Sequence, residues 1–298
     1  MEFVNNKIDF AVVLSVKNAN PNGDPLNGNR PRVNYDGYGE LSDVCIKRKI
    51  RNRLMEAGQS IFVQSDDNRI DGYRSLRARA EGELKDIHND EQKFREEACK
   101  KWLDVRAFGQ VFAFKGNSKK GKKDAEGGEE QGEENGVSIG IRGPVSIHSA
   151  FSVNPVNVSS IQITKSVSGE GDGTKKASDT MGMKHRIDHG VYVFYGSINP
   201  QLASKTGFSD KDAEALKQAL INLFQNDASS ARPEGSMEVS KVYWWKHNSK
   251  IGQFSSAKVH RSLQVTLKPG IAEPRDIGDY KTEIETLDGL RPEIIDGR

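Results

Sequence analysis

Five apolar positions, Ile8, Phe10, Val12, Leu14 and Val16, alternate with Asp9, Ala11, Val13, Ser15 and Lys17 near the start of the chain. That period of two predicts a strand with one face on a core. The period then changes. Ser42 is placed to cap a helix whose Ile46, Ile50, Leu54 and Ala57 form one stripe, with Gly58 ending it. A second helical pattern covers 91–103, and 106–114 then runs into a segment that cannot fold on its own. From 115 to 136 five lysines are followed by six acids, with Ala125 the lone apolar residue, so a solvated loop is expected. Val137, Ile139 and Ile141 restart a strand toward Val145 and Ile147. Residues 160–165 and 188–198 read as strands around a polar excursion, 166–185, centred on Gly169-Glu-Gly-Asp-Gly173. Excursions of that length are mostly functional or disordered. Ser209 caps a helix reaching Phe224 with Ala213, Leu216, Leu220 and Leu223 on its apolar face, and strands near 238–245 and 259–268 follow. Without the insertions the order is strand, helix, strand, strand, helix, strand. This is the split βαβ pattern, so the expected fold class is α+β, a ferredoxin-like or RRM-like antiparallel sheet.

With 298 residues the chain can bury a sizeable core without metal or disulfide staples. Cys45 and Cys99 belong to no paired motif and are expected as free thiols in a reducing cytoplasm. No basic region precedes an apolar stretch at the start, and the run at 10–14 is too short to span a bilayer, so a soluble, cytoplasmic protein without membrane contact is expected. Forty-four basic against 42 acidic residues leave a net charge of +2, which does not by itself indicate nucleic acid. The charges are segregated, however. Residues 30–53 carry seven basic residues and three acids, whereas 273–298 carry eight acids and four bases, so the acidic end is expected outside any polyanion groove.

At 100° per residue Lys47 and Arg51 share one flank of the helical stripe, and Lys49 and Arg53 the other. The helix reads either as an ordinary solvated amphipathic helix or as a cationic ridge. Arg30 and Arg32 just upstream, the absence of acids between Cys45 and Arg53, and the free N–H groups after Ser42 favour the ridge. The loop from Asn18 offers Asn20 and Asn22 as amide donors, with Pro21 and Pro25 restricting it, and reads either as a cradle or as a rigid turn. Thr180-Met-Gly-Met-Lys-His-Arg186 sets Met181 beside Lys184, His185 and Arg186, suited to wedging between bases while cations hold phosphates, or else simply a surface hairpin. Tyr243-Trp-Trp245 fits a core strand better than a stacking platform. Gly116-Asn-Ser-Lys-Lys-Gly-Lys-Lys123 misses a phosphate-binding loop by its last residue and lacks the strand–loop–helix context. The six histidines form no metal pair, and no paired catalytic acids or nucleophile motifs occur, so no enzyme activity, metal or cofactor is expected.

Asn20-Pro-Asn-Gly-Asp-Pro25, Asn29-Arg-Pro-Arg32, the helix from Ser42 to Arg51, Asp104-Val-Arg-Ala-Phe-Gly109, Arg142-Gly-Pro-Val145 and Thr180 to Arg186 together resemble the Cas-seven backbone subunits of CRISPR effector complexes, most closely the type I-C (Csd-two) branch. The resemblance implies a non-enzymatic scaffold of the Cascade complex. It would have an RRM-like palm within a single domain over 1–298, a finger-like insertion at 58–136 that includes the 115–136 loop, a thumb hairpin at 160–187 and an acidic tail at 269–298. Copies would stack head to tail as a helical filament along crRNA and present it to target DNA, beside a Cas-five type guide-end subunit, a large subunit and a small subunit. Carried onto this chain, the RNA contacts would be Asn20, Asn22, Arg30, Arg32, Lys47, Arg48 and Arg51 in the palm and Met181, Lys184, His185 and Arg186 in the thumb. Arg106, Phe108 and Arg142 follow at lower rank, Arg106 and Phe108 also fitting a fold-stabilising role. Two alternatives remain: metal-dependent RNA cleavage through Asp24, as in type III relatives, and general single-strand binding.

Overall fold

The first strand, β1 (Ile8–Ala19), is buried on both faces, and the rest of the fold is arranged around it. The computed structural model describes residues 3–85, 87, 90–114, 137–166 and 181–298. The lysine-then-acid segment 115–136, with its near-miss phosphate loop, and most of the glycine-rich excursion, 167–180, lie outside the described residues. After β1 come the short pair β2 (Gly23–Asp24) and β3 (Arg30–Pro31), then β4 (Tyr38–Leu41) and α1 (Asp43–Glu56). Three helices follow, α2 (Leu76–Glu83), α3 (Glu91–Lys101) and α4 (Leu103–Phe108), leading to β5 (Gly109–Phe114) and β6 (Val137–Arg142). The middle of the chain supplies β7 (Val145–Ile147), β8 (Ala150–Pro155), β9 (Val158–Thr164) and the 18-residue β10 (Met181–Ile198). Then come α5 (Pro200–Thr206), α6 (Asp210–Ile221), β11 (Met237–Lys246), α7 (Ser256–Ser262), β12 (Leu263–Leu267), β13 (Tyr280–Ile284) and β14 (Glu293–Asp296).

One large antiparallel sheet runs β14-β11-β1-β10-β8-β4, and β10 is further paired by β9 near its start and β7 at its end. Sequence alternation decides its two faces. Phe10, Val12, Leu14 and Val16 point into a core roofed by α1 and α6, where Ile46, Ile50 and Leu54 meet Ala213, Leu216 and Leu220. Ala11 and Val13 point the other way, into a second core with Tyr243, Trp245, Val259, Leu263 and Tyr280. The polar face expected for β1 is therefore covered, by α7 and the β12–β13 hairpin. Its polar members have partners there: Ser15 Oγ donates to Glu238 Oε1 at 3.0 Å, and Asp9, fully buried, meets His247 Nε2 at 2.9 Å and Lys7 Nζ at 3.3 Å. Burial alone would raise the Asp9 carboxyl, but the His247 hydrogen bond and the nearby cations outweigh it and hold it below the ordinary value. Backbone Gln253 N donates to His247 Nδ1 at 3.0 Å, so the imidazole carries its proton on Nε2 and donates it to Asp9.

A third core lies outside the sheet, where Phe62, Ala80, Phe94, Ala98, Trp102, Val105, Phe112 and Ile139 pack between α2, α3 and the β5–β6 pair. The Asp104-Val-Arg-Ala-Phe-Gly109 motif joins it to the rest. Residues 106–108 are helical, α4 continuing to Gly109, whose φ of 81° ends it. A Cβ at Gly109 would meet Ile141 O at 2.3 Å, so no other residue fits this turn. The segment 269–298, expected as a tail, supplies strands at two edges: β13 pairs β12, and β14 pairs β11. Its acids serve there, Glu293 meeting Lys217 Nζ at 3.0 Å.

Candidate nucleic-acid interface

The asparagine loop leaves β1 where Ala19 pairs with Ile187 of β10, so it starts at the root of the β9–β10 hairpin. Its amides are turned inward. Asn20, buried, donates from Nδ2 to Asn29 O at 2.7 Å, while Asn22 Oδ1 accepts from the backbone N and Oγ of Ser42 at 2.9 and 3.0 Å. Asn22 thus fastens the loop to the residue whose hydroxyl caps α1 by accepting from Cys45 N. Gly23 is obligatory here, since a Cβ would lie 2.0 Å from Asn29 Oδ1. Arg32 Nη2 lies 3.3 Å from Asp24 Oδ1, which also accepts from Leu26 N at 3.2 Å. Arg30, half-buried on β3, has no ion-pair or hydrogen-bond partner for its guanidinium among the described residues.

The cations of α1 are divided by depth. Lys47 and Arg48 sit toward solvent with local partners, Lys47 Nζ at 2.9 Å from Asp43 Oδ2 and Arg48 Nη2 at 2.9 Å from both oxygens of Asp67. Lys49 is 4 % exposed and pairs with Asp227 beneath the Phe224 ring, so burial draws its ammonium below the ordinary lysine range while Asp227 opposes the shift. Arg51 is inside as well: Nε donates to Asp104 Oδ2 at 2.9 Å, and the guanidinium lies 5.1 Å from the centre of the Phe108 ring. Asp104 also accepts from the backbone N–H groups of Phe62 and Val63 at 2.7 and 3.0 Å. Arg106 forks onto Asp212 at 2.7 and 3.0 Å and reaches Cys99 O. Arg51, Arg106 and Phe108 are thus joints between the third core, α1 and α6.

The hairpin β9–β10 is open on both faces. Met181 and Met183, both exposed, line one face with His185, whose Nδ1 lies 2.8 Å from Ser160 Oγ. Lys184 and Arg186 share the other with the exposed Ile161 and Ile163, their near cross-strand neighbours. Arg186 Nε is 3.7 Å from Asp188, and Lys184 has no partner among the described residues. Arg142 is exposed at the end of β6, apart from this group.

Between the loop, α1 and residues 226–232 lies a polar cleft of about 310 Å³ lined by Asn22, Arg48, Lys49, Asp67, Asp227 and Arg232, among others. Arg232 Nε is 3.1 Å from Asp227 Oδ2, the carboxylate that also holds Lys49. Neither Arg232 nor Asp227 stands in a local pattern that marks it in sequence; the fold alone brings both to α1. Among the described residues no three His, Cys, Asp or Glu side chains converge as metal ligands, and no helix is long and apolar enough to cross a membrane.

Fold and site together define a mixed α/β protein on one large antiparallel sheet, with a cation-bearing rim built from the asparagine loop, α1 and the hairpin. The chain belongs to the CRISPR-associated protein Cas7 family, whose model matches residues 6–285. A CRISPR-associated protein Cas7 of Haloferax volcanii is 27% identical over 233 residues, 76% of this chain; the match spans 66% of that relative, just under two thirds of its length. In structure the chain is similar to one from a CRISPR RNA-guided surveillance complex, pre-nicking, at 13% identity and TM-score 0.48 over 90% of this chain and 84% of the other. A second, from a CRISPR RNA-guided surveillance complex, matches at 16% identity and TM-score 0.42 over 80% and 68%.

Proposed function

We propose that the chain is a guide-RNA-binding backbone subunit of a Cascade surveillance complex of the type I-C branch, without an enzymatic step of its own. One observation carries the RNA-binding part: Ala19–Ile187 pairing and the Asn22–Ser42 bonds join the loop to the root of the hairpin and to the start of α1, so that Arg30, Lys47, Arg48, Lys184 and Arg186 stand on adjoining elements. Spaced cations with fixed amide scaffolding suit a sugar-phosphate backbone. Because the second sheet face is covered, RNA runs along the rim and not across the sheet, as it would on an open RRM. In this reading β11-β1-β10-β8 with α1 and α6 on one face is the RRM-like palm, the finger-like insertion at 58–136 supplies most of the third core, which β6 completes with Ile139, and 160–187 is the thumb. Copies stack head to tail in the cytoplasm along crRNA as a helical filament, other Cascade subunits complete the particle, and base pairing reads the target DNA.

The test is to purify the chain with its co-expressed partner subunits from cells carrying a CRISPR array, sequence the bound nucleic acid and weigh the particle. Repeat–spacer RNA in a multi-copy particle is expected. A nucleic-acid-free monomer overturns the reading.

A further inference from the structure

The cleft beside α1 holds more charge than its surroundings explain. Arg48, Lys49 and Arg232 enter it from two sides, and Asp67 and Asp227 are the carboxylates that meet them, so one positive charge is left uncompensated. The two cations from the far ends of the site, Lys49 on α1 and Arg232 on the 226–232 segment, share the single carboxylate of Asp227. Asp67 belongs to the segment between α1 and α2, is 66% exposed, and grips Arg48 from outside. Asn52, Asn68 and Ser229 add neutral polar groups to the same walls.

We infer that this cleft is a seat for one phosphodiester group of single-stranded RNA, with Arg232 and Arg48 as its binding residues and Asp67 and Asp227 as carboxylates that occupy their cations until the phosphate arrives. This rests on the RNA-binding reading above and adds to it a wall, residues 226–232, that the basic helix alone does not predict. A monoanionic phosphodiester matches the uncompensated charge, and guanidinium groups favour planar, forked contact with phosphate oxygens. A carboxylate is the same kind of partner, so the exchange trades one charge-assisted pair for another. The empty protein therefore avoids leaving Lys49, nearly fully buried, as an unpaired charge. The same carboxylates set a threshold: a loosely held anion does not displace them, whereas a backbone held at neighbouring positions along the rim does.

The experiment uses the full chain and a fluorescent oligouridylate, titrated at several salt concentrations. Arg232→Gln is expected to weaken binding about tenfold and make the salt dependence shallower by roughly 0.7 in the log–log slope, the loss of one single-strand phosphate contact. Asp67→Asn, at an exposed position that leaves the fold intact, is expected to tighten binding severalfold by freeing Arg48. Asp227→Asn tests the inner carboxylate in the same direction, with a thermal melt as its folding control. Lys184→Ala, on the hairpin, serves as the marker of the rim outside the cleft. If Lys184→Ala weakens binding while Arg232→Gln and Asp67→Asn change nothing, the seat is overturned and the RNA-binding reading stands. If the unaltered chain binds no oligouridylate at low salt, both fall.

Discussion

Arg106 and Asp212 lie 106 positions apart and face each other through two hydrogen bonds, at 2.7 and 3.0 Å, that tie α4 to the first turn of α6. Burial alone would lift the Asp212 carboxyl, but the Arg106 fork and the Ser209 N–H hold it below its ordinary value. Arg106→Leu leaves that carboxylate buried without its cation, and we expect a loss of about 3 kcal/mol in denaturant unfolding. Arg106→Lys restores charge without the fork and is expected to recover only part of it. Oligouridylate affinity per folded molecule should not move; a tenfold drop there would make Arg106 an RNA contact.

Lys47 and Arg51 share one flank of α1 in sequence and separate in depth. Lys47→Ala is expected to fold normally, weaken RNA binding and lower the salt slope by roughly 0.7. Arg51→Ala, which strips Asp104 of its cation and Phe108 of its cover, is expected to cost about 3 kcal/mol and to loosen the third core first. Urea melts and salt-dependent binding on the two variants separate these outcomes, and equal stability for both would refute the division.

The carboxylate of Asp24 is occupied by Leu26 N–H and by Arg32. Asp24→Ala is expected to cost about 1 kcal/mol through the lost cap and pair, and to leave bound RNA at its original length. RNA length on a denaturing gel, with magnesium present, checks this. Cutting by the unaltered chain that disappears in Asp24→Ala would instead assign a nuclease.

Acid should destabilise the protein well before its carboxylates titrate. Burial pushes His260 and His189 below the ordinary imidazole value of 6.5, with neighbouring acids only partly opposing it. The unfolded chain then binds these protons at higher pH than the folded one. Stability is full above about pH 6.5 and falls as pH drops below it. Melting temperatures from pH 7.5 to 5 should decline across that window, and His260→Gln should flatten the decline; a flat profile for the unaltered chain would show that neither histidine is coupled to folding.

Local features were legible in the sequence and distant ones were not. Ser42, the stripe Ile46, Ile50 and Leu54, and the Gly58 stop are decided within a few turns of chain, and all stand as read; so does the burial of Tyr243 and Trp245. The depth of each cation was not legible. Lys49 finds Asp227 178 positions on, and Arg51 finds Asp104 53 positions on, so helical geometry gives their flank without telling which flank is covered. Trp102, extended at φ −113° and ψ 121°, separates α3 from α4 where periodicity reads a single helix over 91–103. Strand β14 escaped notice because its acids marked it as solvated, although four residues suffice to pair at a sheet edge. The cleft that joins α1 to Arg232 belongs to this second kind, a product of tertiary closure alone.

Each of the three cores contains one tryptophan: Trp244 under α1 and α6, Trp245 on the opposite sheet face, and Trp102 in the third core. Trp244 and Trp245 are consecutive on β11, so their two cores share a backbone and must come apart together. Trp102 answers to a separate set of contacts, joined to α1 and α6 through Asp104 and Arg106. The molecule therefore carries its own fluorophores sorted by layer. Replacing two tryptophans at a time with Phe lets ultraviolet emission report whether the third core melts ahead of the sheet or with it.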